Sequence, residues 1–206
     1  MPALKSEEGA MLVKMARRSL SKALGVQEAG IAKPPPEIPA SLEEPRGVFV
    51  TIHTYPKEEL RGCIGFIRPD HRLYEATELA ARLAGLEDTR FAPMTRAELP
   101  SVIFEVSALT VPAPIKAKDE AGRRAAVKIG QDGLIIQYGG ASGLLLPQVA
   151  LEWNFTTQEF LEAVCEKAGL PRDMWKSPSA KIWTFGAEIF AEEKPEGKVA
   201  KKPLVR

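Results

Sequence analysis

The order of elements predicted for residues 47–110 recurs in residues 123–190, and this repeat restricts the possible folds more than any other feature of the sequence. Each stretch is predicted to contain two β-rich runs, then a helix, then one more strand. The interval from Cys63 to Glu105 and the interval from Leu145 to Ala187 are both 42 residues. We therefore predict two related strand–strand–helix–strand halves. Because strands and helices come in blocks rather than in strict β-α-β alternation, the pattern favours an α+β fold.

The first half is predicted from short-range patterns. Two β-rich runs, residues 47–54 and 60–67, flank a Pro-containing turn and predict a hairpin. A helix that ends near Ala84 and a strand over residues 102–109 are predicted to follow.

The second half is predicted in the same way. The Asp132-Gly133 pair predicts a hairpin turn between residues 126–129 and 134–138. Thr156 and Glu159 form a capping-box pattern that predicts the start of a helix. Cys165 lies on that helix and is expected to be buried in the protein core. A strand is predicted over residues 143–148, in the position that residues 61–66 occupy in the first half. A helix over residues 157–168 and a last strand over residues 181–190 complete the second half.

Three segments lie outside the two halves. Ser6 and Gly25 are suited to begin and end a helix over residues 6–24. The prolines of residues 26–46 disfavour regular helix and interior strand, so this segment is predicted to be an ordered crossing. Residues 1–192 are thus predicted to form a single domain, and the Lys-rich residues 193–206 a flexible basic tail.

Composition and spacing exclude several classes of protein. No run approaches the roughly 18 apolar residues that cross a membrane, and the charged N-terminal residues are unlike a signal peptide, so the expected location is the cytoplasm. The two distant cysteines are expected to be thiols.

Since the basic charge is concentrated in the tail, the body is mildly acidic and nucleic-acid binding is not expected. Histidines and cysteines lack metal-site spacing and no phosphate-binding glycine loop occurs, so neither metal nor cofactor is expected.

The first hairpin carries the residues of chemical interest. Its apolar side chains alternate, which places them on one face of the hairpin if paired residue numbers have an even sum. A turn centred on Lys57 satisfies this condition. The opposite face would then present a polar group in which Thr51 faces Cys63 and His53 faces Arg61.

These polar residues suggest binding or nucleophilic chemistry. Gly62 and Gly65 flank Cys63, and glycines in a strand mark a bulge or the close approach of a ligand or another backbone. Arg61 offers a fork of donors for a carboxylate or phosphate. A thiol beside a cation and an imidazole is a candidate nucleophile, with His53 as its base, but cysteine also packs as a small hydrophobe.

Asp88 and Arg90 have two readings. They could line a cleft together with Arg61, or they could form an ion pair that holds the loop before Pro93. Both readings remain open at the level of sequence.

The motif Leu60-Arg61-Gly62-Cys63-Ile64-Gly65 resembles the signature of the AMMECR-one family. The resemblance extends over about residues 8–192 and includes further motifs in the same order, at residues 47–51, 88–91, 105–107, 143–149 and 167–170. It implies an α+β fold whose two related halves share a barrel-like, mostly antiparallel sheet with flanking helices. It implies no settled activity. Because genes of the family adjoin or fuse with those of Memo-like and radical-SAM proteins, it implies a partner of that kind.

Three functional hypotheses follow. The first is a binding module that holds a small anionic ligand or a protein partner. The second is a cysteine-dependent enzyme with Cys63 as nucleophile and His53 as base. The third is a structural scaffold in which the motif lets strands pack closely. The residues predicted to line the binding face are Thr51, Arg61, Gly62, Cys63, Gly65, Asp88 and Arg90.

Overall fold

The computed structural model describes residues 3–26 and 37–203, so Pro34-Pro35-Pro36 of the predicted crossing lie outside the described residues. The chain divides into two compact units, one containing residues up to Leu109 together with Glu188–Lys202, the other containing Thr110–Ala187. Both units are mixed α and β, with antiparallel strands and flanking helices, which confirms the predicted class. None of the described helices is long and apolar enough to span a bilayer.

The first unit is built on a five-stranded sheet. Its described helices are α1 (Ser6–Ala23), α2 (Ala40–Glu43) and α3 (Leu73–Leu86), and its strands are β1 (Val48–Thr54), β2 (Leu60–Phe66), β3 (Val102–Leu109), β8 (Ala187–Glu192) and β9 (Val199–Lys202). The strand order in the sheet is β2-β1-β3-β8-β9.

Helices α1 and α3 pack against each other and against strands of this sheet. The apolar positions predicted for one face of the hairpin form the core beneath them, since Val48, Val50 and Ile52 are fully buried and Ile64 and Phe66 pack against them. Helix α1 begins after Lys5, whose backbone N–H donates to the Glu8 carboxylate, so Ser6 is the first helical residue and not the cap. The short helix α2 lies within the crossing that was predicted to lack regular structure.

The register of the first hairpin is as predicted along most of its length. Thr51 pairs with Cys63, but His53 pairs with Leu60, so the predicted pairing of His53 with Arg61 is wrong. The turn closes with the Thr54 N–H donating to the carbonyl of Glu59, which is one residue out of step with the rest of the ladder. A β-bulge therefore leaves Arg61 as the extra residue of β2.

The second unit contains a four-stranded sheet. Its strands are β4 (Ala113–Pro114), β5 (Gly133–Tyr138), β6 (Ala141–Leu145) and β7 (Lys181–Phe185), and its helices are α4 (Glu120–Ala125), α5 (Pro147–Glu152) and α6 (Thr157–Lys167). The strand order in the sheet is β4-β7-β5-β6.

The hairpin predicted at the Asp132-Gly133 pair does not form. The Asp132 carboxylate accepts the backbone N–H of Lys128 and closes a turn, and β5 begins only at Gly133. The hairpin joins β5 to β6 instead, through Gly139 and Gly140 at φ values of 60° and 110°. Glycine reaches such positive φ values without steric cost, which explains why the turn is located there.

The C-terminal strands also differ from the prediction. Residues 181–190 do not form one strand, because the chain passes from β7 to β8 at Gly186 and the two strands belong to different sheets. The segment predicted as a flexible tail contains β9, which pairs with β8 from Ile189↔Lys202 to Glu192↔Val199.

The two related halves are confirmed by the strand order, since β2-β1-β3 in one sheet corresponds to β6-β5-β7 in the other. Ile52 pairs with Gly62 in the first half, and Ile136 pairs with Gly143 in the second. The structural counterpart of Cys63 is therefore Leu144, one residue earlier than the sequence spacing predicts. The capped helix of the second half is confirmed, because Thr156 and Glu159 form the predicted reciprocal cap.

Candidate functional site

The outer edge of β2 is closed by two side chains from the loop after α3. The Cys63 N–H donates to Oδ2 of Asp88 at 2.8 Å, and Nη2 of Arg90 donates to the Cys63 carbonyl at 3.1 Å. Asp88 and Arg90 are themselves joined by hydrogen bonds of 2.7 and 2.9 Å. This pair, here called the Asp88–Arg90 clamp, satisfies the two backbone groups that a neighbouring strand would otherwise take.

The Asp88–Arg90 clamp is stabilised by the opposite charges of its two side chains. Asp88 is buried, and the hydrogen bonds from the Arg90 guanidinium hold the pKa of its carboxyl far below the ordinary range, with the N–H groups of Cys63 and Arg90 acting in the same direction. The carboxylate therefore stays ionised throughout the physiological pH range. Of the two readings of Asp88 and Arg90, the structure contains the ion pair, and it is anchored to the edge of the sheet.

Arg61 lies beside the clamp. Its Nε donates to Oε1 of Glu98 at 2.8 Å, and its Nη2 donates to the carbonyl of Ala92 at 3.0 Å. The ring of Phe91 is near two guanidinium groups, with the Cζ atoms of Arg61 and Arg90 at 5.8 and 5.6 Å from its centroid. These distances are within the range of cation–π contacts. We call this group the Arg61–Phe91–Arg90 patch.

The thiol of Cys63 faces Thr51, whose hydroxyl oxygen lies 3.3 Å from Sγ. Burial raises the pKa of the Cys63 thiol, and the Thr51 hydrogen bond and the charge of Arg90 only partly oppose this effect. The raised pKa disfavours the thiolate, which is the form that a cysteine nucleophile needs.

We expect alkylation of Cys63 by iodoacetamide to be several-fold slower in the folded protein than for a small free thiol at pH 7.5. Because the folded pKa is raised, less thiolate is present at that pH, and the rate should keep rising above the free-thiol value of about 8.5. Mass spectrometry after timed quenching measures the rate at each pH. Cys165 is the internal control, since it is fully buried with a pKa raised to about 11 and should react more slowly still. A rate that levels off below pH 8 would contradict this expectation.

The two glycines of the motif contact the chain itself. A Cβ atom on Gly62 would lie 2.1 Å from the carbonyl oxygen of Ala84 in α3, and one on Gly65 would lie 2.4 Å from the Phe49 ring. Of the alternatives raised by the sequence, the close approach of another part of the chain accounts for both positions.

The structure brings most of the predicted site residues together. Cys63, Asp88 and Arg90 are joined by hydrogen bonds at the edge of β2, Arg61 lies beside them against the Phe91 ring, and Thr51 contacts Cys63 from the neighbouring strand. His53 lies on the same side of the sheet as Thr51, beyond the bulge and opposite Leu60. Within residues 3–26 and 37–203, no group of three metal-binding side chains occurs.

Sequence reasoning missed two members of the site, Phe91 and Glu98. Phe91 lies in the 88–91 motif, but only the fold brings its ring near two arginines. Glu98 had a detectable local signal, because Thr95-x-x-Glu98 is a capping box and the structure contains that cap. Its pairing with Arg61, 37 residues away, had none.

The fold and site together define a class: an internally duplicated α+β protein in which an Arg-Gly-Cys-Ile-Gly edge strand is closed by an acidic–basic clamp. Comparison with known proteins agrees. The chain belongs to the AMMECR1 family, whose model matches residues 13–190, and this confirms the resemblance seen in the sequence.

Several relatives align with this chain over nearly their whole length. A protein of Thermococcus gammatolerans is 47% identical over 205 residues, and one of Thermococcus kodakarensis is 46% identical, each alignment covering 98% of both chains. The crystal structure of an uncharacterized protein from Pyrococcus horikoshii is similar with a TM-score of 0.87 and 44% identity, covering 97% of this chain and 98% of that one. These names describe no activity.

Proposed function

We propose that this chain is a binding module that holds an anionic group on the Arg61–Phe91–Arg90 patch. The observation that carries the proposal is the way both guanidinium groups are held. Each arginine uses Nε and Nη2 to bind a carboxylate and a backbone carbonyl, and neither Nη1 takes part in a hydrogen bond among the described residues.

Such an arrangement favours binding because the donors are positioned before the ligand arrives. A guanidinium that is already fixed loses little side-chain freedom when it forms another charge-assisted hydrogen bond. The Arg90 side chain is 54% exposed, whereas that of Arg61 is 16% exposed and lies deeper. Phe91 adds an apolar surface between them.

The ligand chemistry is a carboxylate or phosphate group. It could come from a small metabolite or from an acidic segment of a protein, and a Memo-like or radical-SAM protein is the partner that the family resemblance implies. Both cysteines are free thiols, which supports the cytoplasmic location that we also propose.

The two alternative functions have less support. A cysteine-dependent reaction would need a thiolate, and burial of Cys63 opposes its formation. A purely structural role accounts for Gly62, Gly65 and the clamp, but it leaves the Nη1 groups of Arg61 and Arg90 without a use.

We expect the wild-type protein to bind citrate, inorganic phosphate or a glutamate decapeptide, as measured by isothermal titration calorimetry at low salt. Arg90→Gln should weaken that binding by about tenfold or more, because a hydrogen bond to a charged group contributes about 1.5–3 kcal/mol. Binding of citrate or phosphate would identify a small anion as the ligand class, and binding of the peptide alone would identify a protein segment.

The matched control is Arg172→Gln in the second half. Arg172 is similarly exposed and similarly paired, with Glu162 and Glu166, but it has no place in the patch. Arg90→Lys keeps the charge and should retain part of the affinity, which separates loss of binding from loss of the clamp. Failure of all three probes to bind, or equal losses in Arg90→Gln and Arg172→Gln, would rule out the proposal.

A further inference from the structure

The described strands leave four sheet edges, and three of them are protected against pairing with another chain. β2 is closed by the Asp88–Arg90 clamp, β9 carries Lys201 and Lys202, and β4 is two residues long and ends in Pro114. Clamps, lysines, short strands and prolines are the usual means of preventing strand addition. The fourth edge, β6, is five residues long and contains no charge and no proline.

The backbone groups of β6 that point away from the sheet follow from its hairpin. Tyr138 and Ala141 pair directly across the two-residue turn, so every second residue from Ala141 bonds to β5. The N–H and C=O groups of Ser142 and Leu144 therefore point outward. Among the described residues, no hydrogen bond reaches these four backbone groups from outside the strand.

The internal repeat allows the edge of β6 to be compared with the edge of β2, which is closed by the clamp. Leu144 is the counterpart of Cys63, whose outward N–H and C=O are both satisfied by the clamp. In the second half, the corresponding loop after α6 supplies Arg172, but this arginine pairs with Glu162 and Glu166 of α6 itself. Arg172 therefore pairs with its own helix and does not close the edge of β6.

A second copy of this chain fits the edge poorly. A Cβ atom on Gly143 would lie 2.6 Å from the backbone nitrogen of Ala168, so the end of α6 lies directly over β6. A two-fold pairing of β6 with itself would place two such helix ends over strands about 4.8 Å apart, whereas packed helices need about 8–10 Å. A single extended segment has no helix to accommodate.

We propose that β6 is a strand-addition site, at which an extended, uncharged segment of a partner protein pairs with the outward backbone groups of Ser142 and Leu144. The side chain of Leu144 continues a row with Ile135 and Trp183 on the face away from α6. The residue of the incoming segment beside Leu144 is therefore apolar. This site lies in the second unit and shares no residue with the Arg61–Phe91–Arg90 patch.

The test uses the full chain and a fluorescent seven-residue peptide of alternating valine and threonine. In the free protein, hydrogen exchange measured by NMR should be fast at the Ser142 and Leu144 amides and slow at the Cys63 amide, which is bonded to buried Asp88. Saturating peptide should slow exchange at both β6 amides by about tenfold or more, since each gains a hydrogen bond.

Two controls isolate backbone pairing. A peptide of the same sequence, N-methylated at alternate residues, should not bind. Ser142→Pro removes one outward N–H at an edge position that tolerates proline and should weaken peptide binding by about tenfold, whereas Ser142→Ala should bind normally. Circular dichroism checks that both variants are folded.

Several outcomes would overturn the proposal. These are β6 amides as protected as Cys63 in the free monomer, equal binding of the methylated peptide, no effect of Ser142→Pro, or no protection by the peptide. A dimer that Ser142→Pro dissociates in sedimentation experiments would show instead that the occupant is a second copy.

Discussion

Replacing Glu192 with alanine is expected to reduce the free energy of unfolding by about 3–5 kcal/mol, because it leaves the buried charge of Arg17 without its counterion. Glu192 is 2% exposed. It accepts hydrogen bonds from Nε of Arg17 at 2.7 Å and from the backbone N–H of Phe104 at 3.0 Å. Arg17 also donates to the carbonyls of Leu99 and Val102, so this one pair ties α1 to β3 and β8.

Urea denaturation followed by far-ultraviolet circular dichroism is the appropriate measurement, since Trp153, Trp175 and Trp183 all lie in the second unit and their fluorescence would not report on α1. Arg172→Ala, which removes an exposed ion pair, is the control and should cost at most about 1 kcal/mol. The double variant Arg17→Met/Glu192→Leu should be less destabilised than the sum of the single changes, because it removes both charges together. A cost for Glu192→Ala no larger than that for Arg172→Ala would show that the pair is not a stabilising element.

The Gly62→Ala variant is expected to be destabilised by about 3 kcal/mol, at the upper end of the usual cost of overpacking. The new Cβ would lie 2.1 Å from the backbone carbonyl oxygen of Ala84, and a backbone atom cannot move aside as a flexible side chain can. Helix α3 must therefore shift away from β2. Thermal unfolding at constant pH measures the effect as a fall in melting temperature.

Alanine substitutions at two other glycines provide a second test and a control. Gly143→Ala in β6 should also be destabilising, since its Cβ would lie 2.6 Å from the backbone nitrogen of Ala168. Gly186→Ala should be nearly neutral, because its nearest neighbour would be a Thr110 methyl group at an ordinary 3.4 Å. A normal melting temperature for Gly62→Ala would mean that β2 and α3 are not packed as tightly as described.

The candidate site was only partly predictable, and the first hairpin shows why. Alternating apolar residues correctly predicted that Thr51 faces Cys63, because side-chain alternation is a property of each strand alone. The bulge at Arg61 left no trace in that alternation. It arises from the hydrogen bond that closes the turn at Thr54 and Glu59, which depends on the loop conformation.

Asp88 and Arg90 show a second limit. Two charges separated by one residue can pair with each other, face a cleft, or do both, and their local sequence does not distinguish these arrangements. The observed arrangement depends on the backbone of Cys63, which is 25 residues away from Asp88. The N–H and C=O of Cys63 lie at a strand edge and need hydrogen-bond partners, which Asp88 and Arg90 supply.

Local patterns were enough to predict the α+β class, the two related halves, the buried face of the first hairpin and the capped helix α6, because strand and helix periodicities and helix caps depend on residues close together in the chain. Four other features depend on long-range packing: the closed edge of β2, the open edge of β6, the passage from β7 to β8 into a different sheet, and the pairing of Arg17 with Glu192 across 175 residues. Each of these depends on which distant backbone or charge a residue meets. Such partners are selected only when the chain is packed.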